Sequence, residues 1–445
     1  MRGAIAAGHP LTAEAGARVL REGGNAVDAL LTAAFTAFVA EGPLTGPAGG
    51  GFLLVREPGE SPTVLDCFFA VPEARLGVME EVVIDFADAG TQVFHVGEGS
   101  VAVPGLVAGL EEAHRRFASF DWTALVEPAC ELAMQGVACD EPRAFLHGIL
   151  SAILLRDEGG RRVFGDPARV ATHELVETLE SIRDGRAAAV AELLPEYAGD
   201  LAAYRVVDRA PLEATVLGHA VFATPSPSLG GAIVVAILER LGAAAEPSDE
   251  DIAGALGDAY RTSRSGKLTG TTHISVVDET GRAAALSSTL GSGSGVFRGG
   301  TQMNNMLGEL DVIGYEPRAA GTRLPSMLTP TLALRDGRAR LVLGSAGSVR
   351  LAGAIAQVAW QVVGASASVA EAIDAPRLHV EGDTLHVEGG RAEGAIAGLE
   401  QSWNVVRWAG RNLYFGGVQA VELDATGTLA AAGDPRRGGA GVVVA

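Results

Sequence analysis

The sequence predicts an α+β fold of stacked helical and sheet layers, on three observations. Apolar residues follow helical spacing through the first half of the chain, short strands joined by turns fill its end, and no internal repeat of about 20 to 50 residues recurs. At 445 residues the chain can bury a sizeable core, either as two domains or as one large layered domain.

Taken in order, Thr12 to Glu22 and Ala26 to Ala40 carry helical spacing, and Gly49, Gly50 and Gly51 then lead into a strand from Phe52 to Val55. From Pro104 to about Leu241 the pattern is mostly helical, with charged turns such as Arg156 to Arg162 and breakers at Pro225 and Pro227. Between Ala243 and Leu268 the chain is polar and poor in apolar anchors, and a strand pattern begins abruptly at Thr271, so a boundary is expected there. Four later strands are expected at Leu332 to Arg335, Arg340 to Leu343, Thr384 to Glu388 and Gly417 to Leu423, with one helix near Ala352 to Val363.

A net charge of -20 disfavours nucleic acid and anionic membrane surfaces, which leaves small molecules as the expected partners. Cys67, Cys130 and Cys139 are an odd number without a CxxC pair, which argues against a disulfide framework and suits a reducing compartment. No long apolar run follows a basic start, and Ala26 to Ala40 is too short to span a bilayer, so a cytoplasmic location is expected. Nine scattered histidines form no spaced ligand pair, and the glycine clusters lack a P-loop lysine; neither a metal nor another cofactor is expected. The acidic run Asp249-Glu250-Asp251 reads as solvated surface.

The segment that carries chemistry runs from Gly270 to Leu290. Alternating β-branched residues on either side of a Gly-containing turn predict a hairpin. Pairing Asp278 with Ala283 brings Thr289 back beside Thr271 and Thr272, to within about a residue of register. A hydroxyl beside the Gly270-Thr271 peptide can attack the preceding carbonyl, since glycine there adds no side chain to block approach. Hydrolysis of the resulting ester frees the amino group of Thr271. Such an amine has a reference pKa of roughly 7.7 to 8.0, close enough to neutrality to act as general base for its own hydroxyl. His273 is expected to serve the packing or hydrogen bonding of the hairpin.

This hairpin resembles the start of the small subunit of γ-glutamyltranspeptidases, in which the first Thr of a TTHxS motif becomes a new N-terminus after self-cleavage. Further matches run along nearly the whole chain, among them Gly23-Gly24-Asn25-Ala26-Val27-Asp28, Val103-Pro104-Gly105, Asn304-Asn305, Ser326-Met327-Leu328-Thr329-Pro330, Gly344 to Ser348 and Asp434-Pro435-Arg436. The resemblance implies a four-layer αββα sandwich of the N-terminal nucleophile type. It also implies cleavage between Gly270 and Thr271 into fragments 1-270 and 271-445, which stay associated as one structural domain and could pair as a homodimer. By the same resemblance Thr271 is the nucleophile, Thr289 the hydroxyl that assists it, and the turn at Gly347 and Ser348 the donor of backbone N-H groups to the oxyanion.

The part of the pattern that clamps a glutamate departs from the family. Phe68 stands where the arginine that grips the α-carboxylate is expected, Gly291 replaces an amide, Met306 a glutamine, and Glu309 an aspartate. Pro325 replaces one of two serines and leaves Ser326. Loss of the guanidinium disfavours a buried substrate carboxylate. The same nucleophile is therefore expected to act on a different acyl group, most simply in an amide. Three alternatives stay open: hydrolysis of a carbon-carbon bond in a specialised pathway such as alkylproline antibiotic precursor biosynthesis, true γ-glutamyl hydrolysis or transfer, and ligand binding without catalysis.

Overall fold

A computed structural model describes residues 2–85, 91–244, 246–261, 270–424 and 426–445. Two antiparallel sheets lie face to face between helical layers, as the expected four-layer sandwich requires. The larger sheet has seven strands in the order Ala440–Val444, Gly3–Ala7, Gly270–Asp278, Ala283–Gly291, Gly50–Arg56, Thr63–Cys67 and Val207–Arg209. The smaller has six, in the order Leu429–Gly433, Gly417–Leu423, Arg338–Ala346, Thr331–Arg335, His219–Ala223 and Leu212–Val216. The hairpin that carries Thr271 thus sits in the middle of the larger sheet, flanked on both sides by strands from the first 60 residues.

Side-chain alternation divides this central hairpin between two cores. Ile274, Val276, Ala284 and Leu286 face the outer helices, packing with Leu30, Ala34 and Phe38 of the helix Ala26–Ala40. Val277, Ala283 and Ala285 face the second sheet and meet Leu341 and Leu343. The helix Ala26–Ala40 is buried on every side, and its start is fixed by a capping box of Asn25 and Asp28. On the far side, the helices Gly230–Gly242 and Arg350–Val363 cover the smaller sheet.

Several boundaries differ from expectation. The block from Pro104 to Leu241 is mostly helical to Ala203 and helical again from Gly230, but three strands intervene, at Val207–Arg209, Leu212–Val216 and His219–Ala223. Val207–Arg209 and Leu212–Val216 are edge strands that carry charged residues, which hides the period of two, and His219–Ala223 is only five residues long. The polar stretch expected as a boundary contains the helix Asp249–Arg261, and positions 262–269 lie outside the described residues. Helices Val369–Asp374 and Glu393–Leu399 join the one expected near Ala352 to Val363. Of the acidic run, Glu250 and Asp251 are exposed, whereas Asp249 pairs with Arg391.

Among the described residues, no helix is long and apolar enough to cross a membrane. The three cysteines are free, and Cys67 and Cys130 are buried.

Candidate active site

The hairpin register is set by Val277 opposite Ala283 and holds to Thr272 opposite Ser288. This is one residue from the expected pairing. It changes before Gly270, which pairs with Gly291, so that Thr289 and Leu290 together oppose Thr271. Such a bulge locally breaks the ladder and re-aims side chains. Its effect here is to put the Thr289 hydroxyl on the bond before Thr271: Thr289 Oγ1 donates to the carbonyl oxygen of Gly270 and accepts from Gly291 N at 2.8 Å. Gly270 has no room for a side chain, because a Cβ would stand 2.8 Å from the Gly291 carbonyl oxygen and 3.0 Å from that of Pro43.

Thr271 and Thr289 open onto a small cavity, about 30 Å³, between the sheets. Phe68, Gly291, Met306, Glu309, Ser326 and Ser348 line it as well, so residues far apart in sequence converge there. Gly347 is not on the cavity wall but forms the turn that delivers Ser348. Its φ of 130° and a close approach to Gly416 Cα both exclude a side chain. Ser348 is left-handed at φ 59°, a costly conformation for a non-glycine residue. The turn runs into the N-terminus of the helix Arg350–Val363, where the helix dipole favours negative charge. The arrangement can therefore bring a hydroxyl nucleophile, a hydroxyl donor and a helix N-terminus around one carbonyl.

The cavity wall is apolar on one side and acidic on another. Phe68 stacks on Phe52 with ring centroids 5.4 Å apart and meets Phe69 edge-on at 4.9 Å. Arginines do occur nearby, but not on the wall: Arg209 bonds Asp66 Oδ2 at 2.8 Å, and Arg323 lies 3.5 Å from Asp66 Oδ1 with its guanidinium over the Tyr204 ring. Asp66 also accepts the backbone N-H of Phe68 at 3.0 Å, so the carboxylate two positions before Phe68 is committed to holding that loop. Glu309 Oε1 accepts from Ser292 N at 3.0 Å and from Ser292 Oγ at 2.8 Å.

Gly291 has φ 70°, and a Cβ there would collide with Asn305 Oδ1 and come within 3.2 Å of Met306 Sδ. An amide at position 291 is thus excluded by Asn305, whose Oδ1 instead accepts from Ser292 N at 2.7 Å and Gly293 N at 3.1 Å. Asn304 ties the same loop to Ala48 and Ala102. His273 is not on the cavity wall but packs against Gly344 of the smaller sheet. Its ring bonds the hydroxyls of Ser287 and Ser275, each at 2.8 Å, and burial holds its pKa down to about 3.

Beside the cavity lies a groove of about 330 Å³ that shares Val312 and Met327 with it and is lined further by Ser226, Leu229, Asp311 and Val349. Sequence reasoning had not singled out Ser292, Asn305 as a space-filling partner of Gly291, or the buried Glu41 behind the hairpin. For Asn305 the signal was present in the Asn304-Asn305 pair. For Glu41 the only signal was a lone acid closing an apolar helix.

The γ-glutamyltranspeptidase family model matches residues 12–189 and 246–444. A glutathione hydrolase proenzyme from Escherichia coli is 27% identical across 98% of this chain and 90% of its own length. An acylase ACY 1 proenzyme from a Pseudomonas species is 26% identical across 100% of this chain and 94% of its own length. Among solved structures, cephalosporin acylase from Bacillus halodurans shares the fold, with a TM-score of 0.83 at 19% identity, covering 99% of this chain and 95% of that one. With a family match over most of its length and the same layered architecture, the chain belongs to the γ-glutamyltranspeptidase family of N-terminal-nucleophile hydrolases.

Proposed function

We propose that the chain cuts itself between Gly270 and Thr271 and then, through Thr271, hydrolyses an amide whose acyl group is not γ-glutamyl. The observation that carries the first step is the Thr289 hydroxyl donating to the Gly270 carbonyl oxygen. That hydrogen bond polarises the bond to be cut and stabilises the oxyanion as Thr271 Oγ adds to the Gly270 carbonyl carbon. The C–N bond then breaks, the nitrogen of Thr271 takes the proton, and an ester joins Gly270 to the Thr271 hydroxyl. Water hydrolyses the ester and leaves a free α-amine on Thr271. In each catalytic cycle that amine takes the hydroxyl proton as Oγ adds to the substrate carbonyl, the ammonium gives the proton to the leaving nitrogen as the C–N bond breaks, and water, deprotonated by the same amine, hydrolyses the acyl ester to release the acid and restore the hydroxyl. Backbone N-H groups of the Gly347 and Ser348 turn receive the oxyanion.

The substrate reading rests on the cavity wall. The Phe52–Phe68 stack and Met306 offer no partner to a free α-carboxylate, whereas Glu309 suits an amine or another hydrogen-bond donor. The aromatic stack also suits an apolar or ring-bearing oxo acid, which is what favours the second reading, hydrolysis of a carbon-carbon bond in antibiotic precursor biosynthesis. Free, mostly buried cysteines suit work in a reducing compartment such as the cytoplasm.

The test is a comparison of kcat/KM for γ-glutamyl-p-nitroanilide with that for short aliphatic acyl p-nitroanilides. The aliphatic substrates are expected to lead by about 10²-fold. A preference for the γ-glutamyl compound contradicts the reading of Phe68.

A further inference from the structure

Glu41 is buried at the end of the helix Ala26–Ala40, on the face of the large sheet opposite the cavity. Its Oε1 accepts from Thr12 Oγ1 at 2.7 Å, and its Oε2 accepts from Thr272 Oγ1 at 2.5 Å. Gly8 leaves space for this group: a Cβ there would come within 2.6 Å of Thr272 Oγ1 and closer still to Glu41 Oε2. Beyond Glu41 the chain turns tightly, its carbonyl accepting from Leu44 N at 2.8 Å and Thr45 N at 3.2 Å. That turn grips the second strand of the central hairpin. Leu44 O accepts from Leu290 N at 3.2 Å, and the hydroxyls of Thr45 and Ser288 are 2.9 Å apart.

Both the side chain and the turn of Glu41 therefore hold the strand ends that carry the scissile bond. Thr272, whose hydroxyl it receives, is one residue from the nitrogen that self-cleavage frees. Burial, opposed by the two hydroxyl hydrogen bonds, raises the Glu41 carboxyl to about 7, in the range where a neighbouring amine also titrates. Other ionisable groups on elements packed around it are engaged elsewhere. His9 Nδ1 accepts from Leu11 N at 2.8 Å, and Arg143 Nε donates to the Ala40 carbonyl at 3.2 Å while pairing with Asp140. Across the hairpin, Glu309 is bonded to Ser292, and His273 stays neutral near pH 7.

We infer that Glu41 is the positioning carboxylate of the processed enzyme: it fixes Thr272 and supplies the counter-charge of the Thr271 α-amine, so that it governs when that amine can take a proton. This rests on the N-terminal-nucleophile reading above and adds a residue on the hidden side of the sheet. A nearby anion favours the ammonium form, which is the form that cannot act as a base. Removing the charge therefore makes the base available at lower pH.

The experiment compares pH profiles of kcat/KM for the processed wild type and Glu41→Gln, which keeps the size and one acceptor of the side chain. The acidic limb is expected to move to lower pH by on the order of one unit, with KM changed less than about twofold. Superimposable profiles overturn the role of Glu41. If Glu41→Gln stays uncut, the comparison passes to Thr272→Ser and Thr272→Val. The serine, which keeps the bond to Glu41, is expected to cleave at the wild-type rate, and the valine at least about tenfold more slowly. Equal rates in the two overturn the inference. A wild type that never yields an N-terminal Thr271 instead removes the nucleophile reading itself, so the two failures are distinguishable.

Discussion

Thr289 is the residue whose position says most about chemistry, because its hydroxyl lies on the Gly270 carbonyl oxygen while Gly291 N orients it from behind. Thr289→Val keeps the shape and removes the donor. Self-cleavage is expected to slow by about 10² to 10³-fold, followed as loss of intact chain on a denaturing gel, while Thr289→Ser retains most of the rate. An unaffected valine variant contradicts the assignment of that hydroxyl to the oxyanion. The resemblance in sequence was enough to bring Thr271, Thr289, Phe68, Met306, Glu309, Ser326 and Ser348 to one wall. It did not reveal that Asn305 occupies the space an amide at 291 would need, since that is a collision between two loops 14 positions apart in the chain. Nor did it reveal Glu41, because an acid at a helix end normally faces water, and only the approach of Gly8 and Thr272 makes this one buried.

At the scale of elements, the central hairpin was legible from its alternation, yet its register was not. The turn shifted it by one residue, and the bulge at Thr271 then restored the pairing of Gly270 with Gly291. A count along two strands cannot foresee an extra residue on one of them. Short edge strands such as Val207–Arg209 were missed for a similar reason: with three residues and two charges they show no period. The loop that joins the first strand to the first helix supplies a further prediction. Gly8→Ala forces its methyl group against Glu41 and the Thr272 hydroxyl, so the strand end must shift. Self-cleavage in this variant is expected to be at least about tenfold slower at an unchanged elution volume, since small misplacements of a reacting group cost about that much or more. A wild-type time course argues against the grip of this loop on the nucleophile strand.

For the whole molecule, burial of neutral histidines gives stability a sign with pH. His273 is held down to about 3, and His147 and His386 to about 4, against an ordinary value of 6.5. Below 6.5 the unfolded chain binds protons that the folded one refuses, so this stability is complete above pH 6.5 and is lost progressively as pH falls toward 4 and below. Glu41 acts in the opposite sense. Its raised pKa makes its contribution full below 4.5 and lost as pH rises through about 7, but it is one group against three. The urea midpoint is therefore expected to fall from pH 6.5 to 4.5, with His273 alone contributing about 1.4 kcal/mol per pH unit over that window. A midpoint flat across that window contradicts the burial of these rings as neutral groups. The layered architecture was readable from helices early and strands late, but not the interleaving that places Gly3–Ala7 and Gly50–Arg56 on either side of the hairpin, since long-range pairing leaves no local pattern. That interleaving places the proposed cut at Gly270 inside a sheet. The most direct test is the intact mass and N-terminal sequence of the purified wild type beside Thr271→Ala: two fragments are expected in the wild type, the smaller beginning at Thr271, and one uncut chain in the variant, whereas a wild type that stays whole under all maturation conditions contradicts self-cleavage.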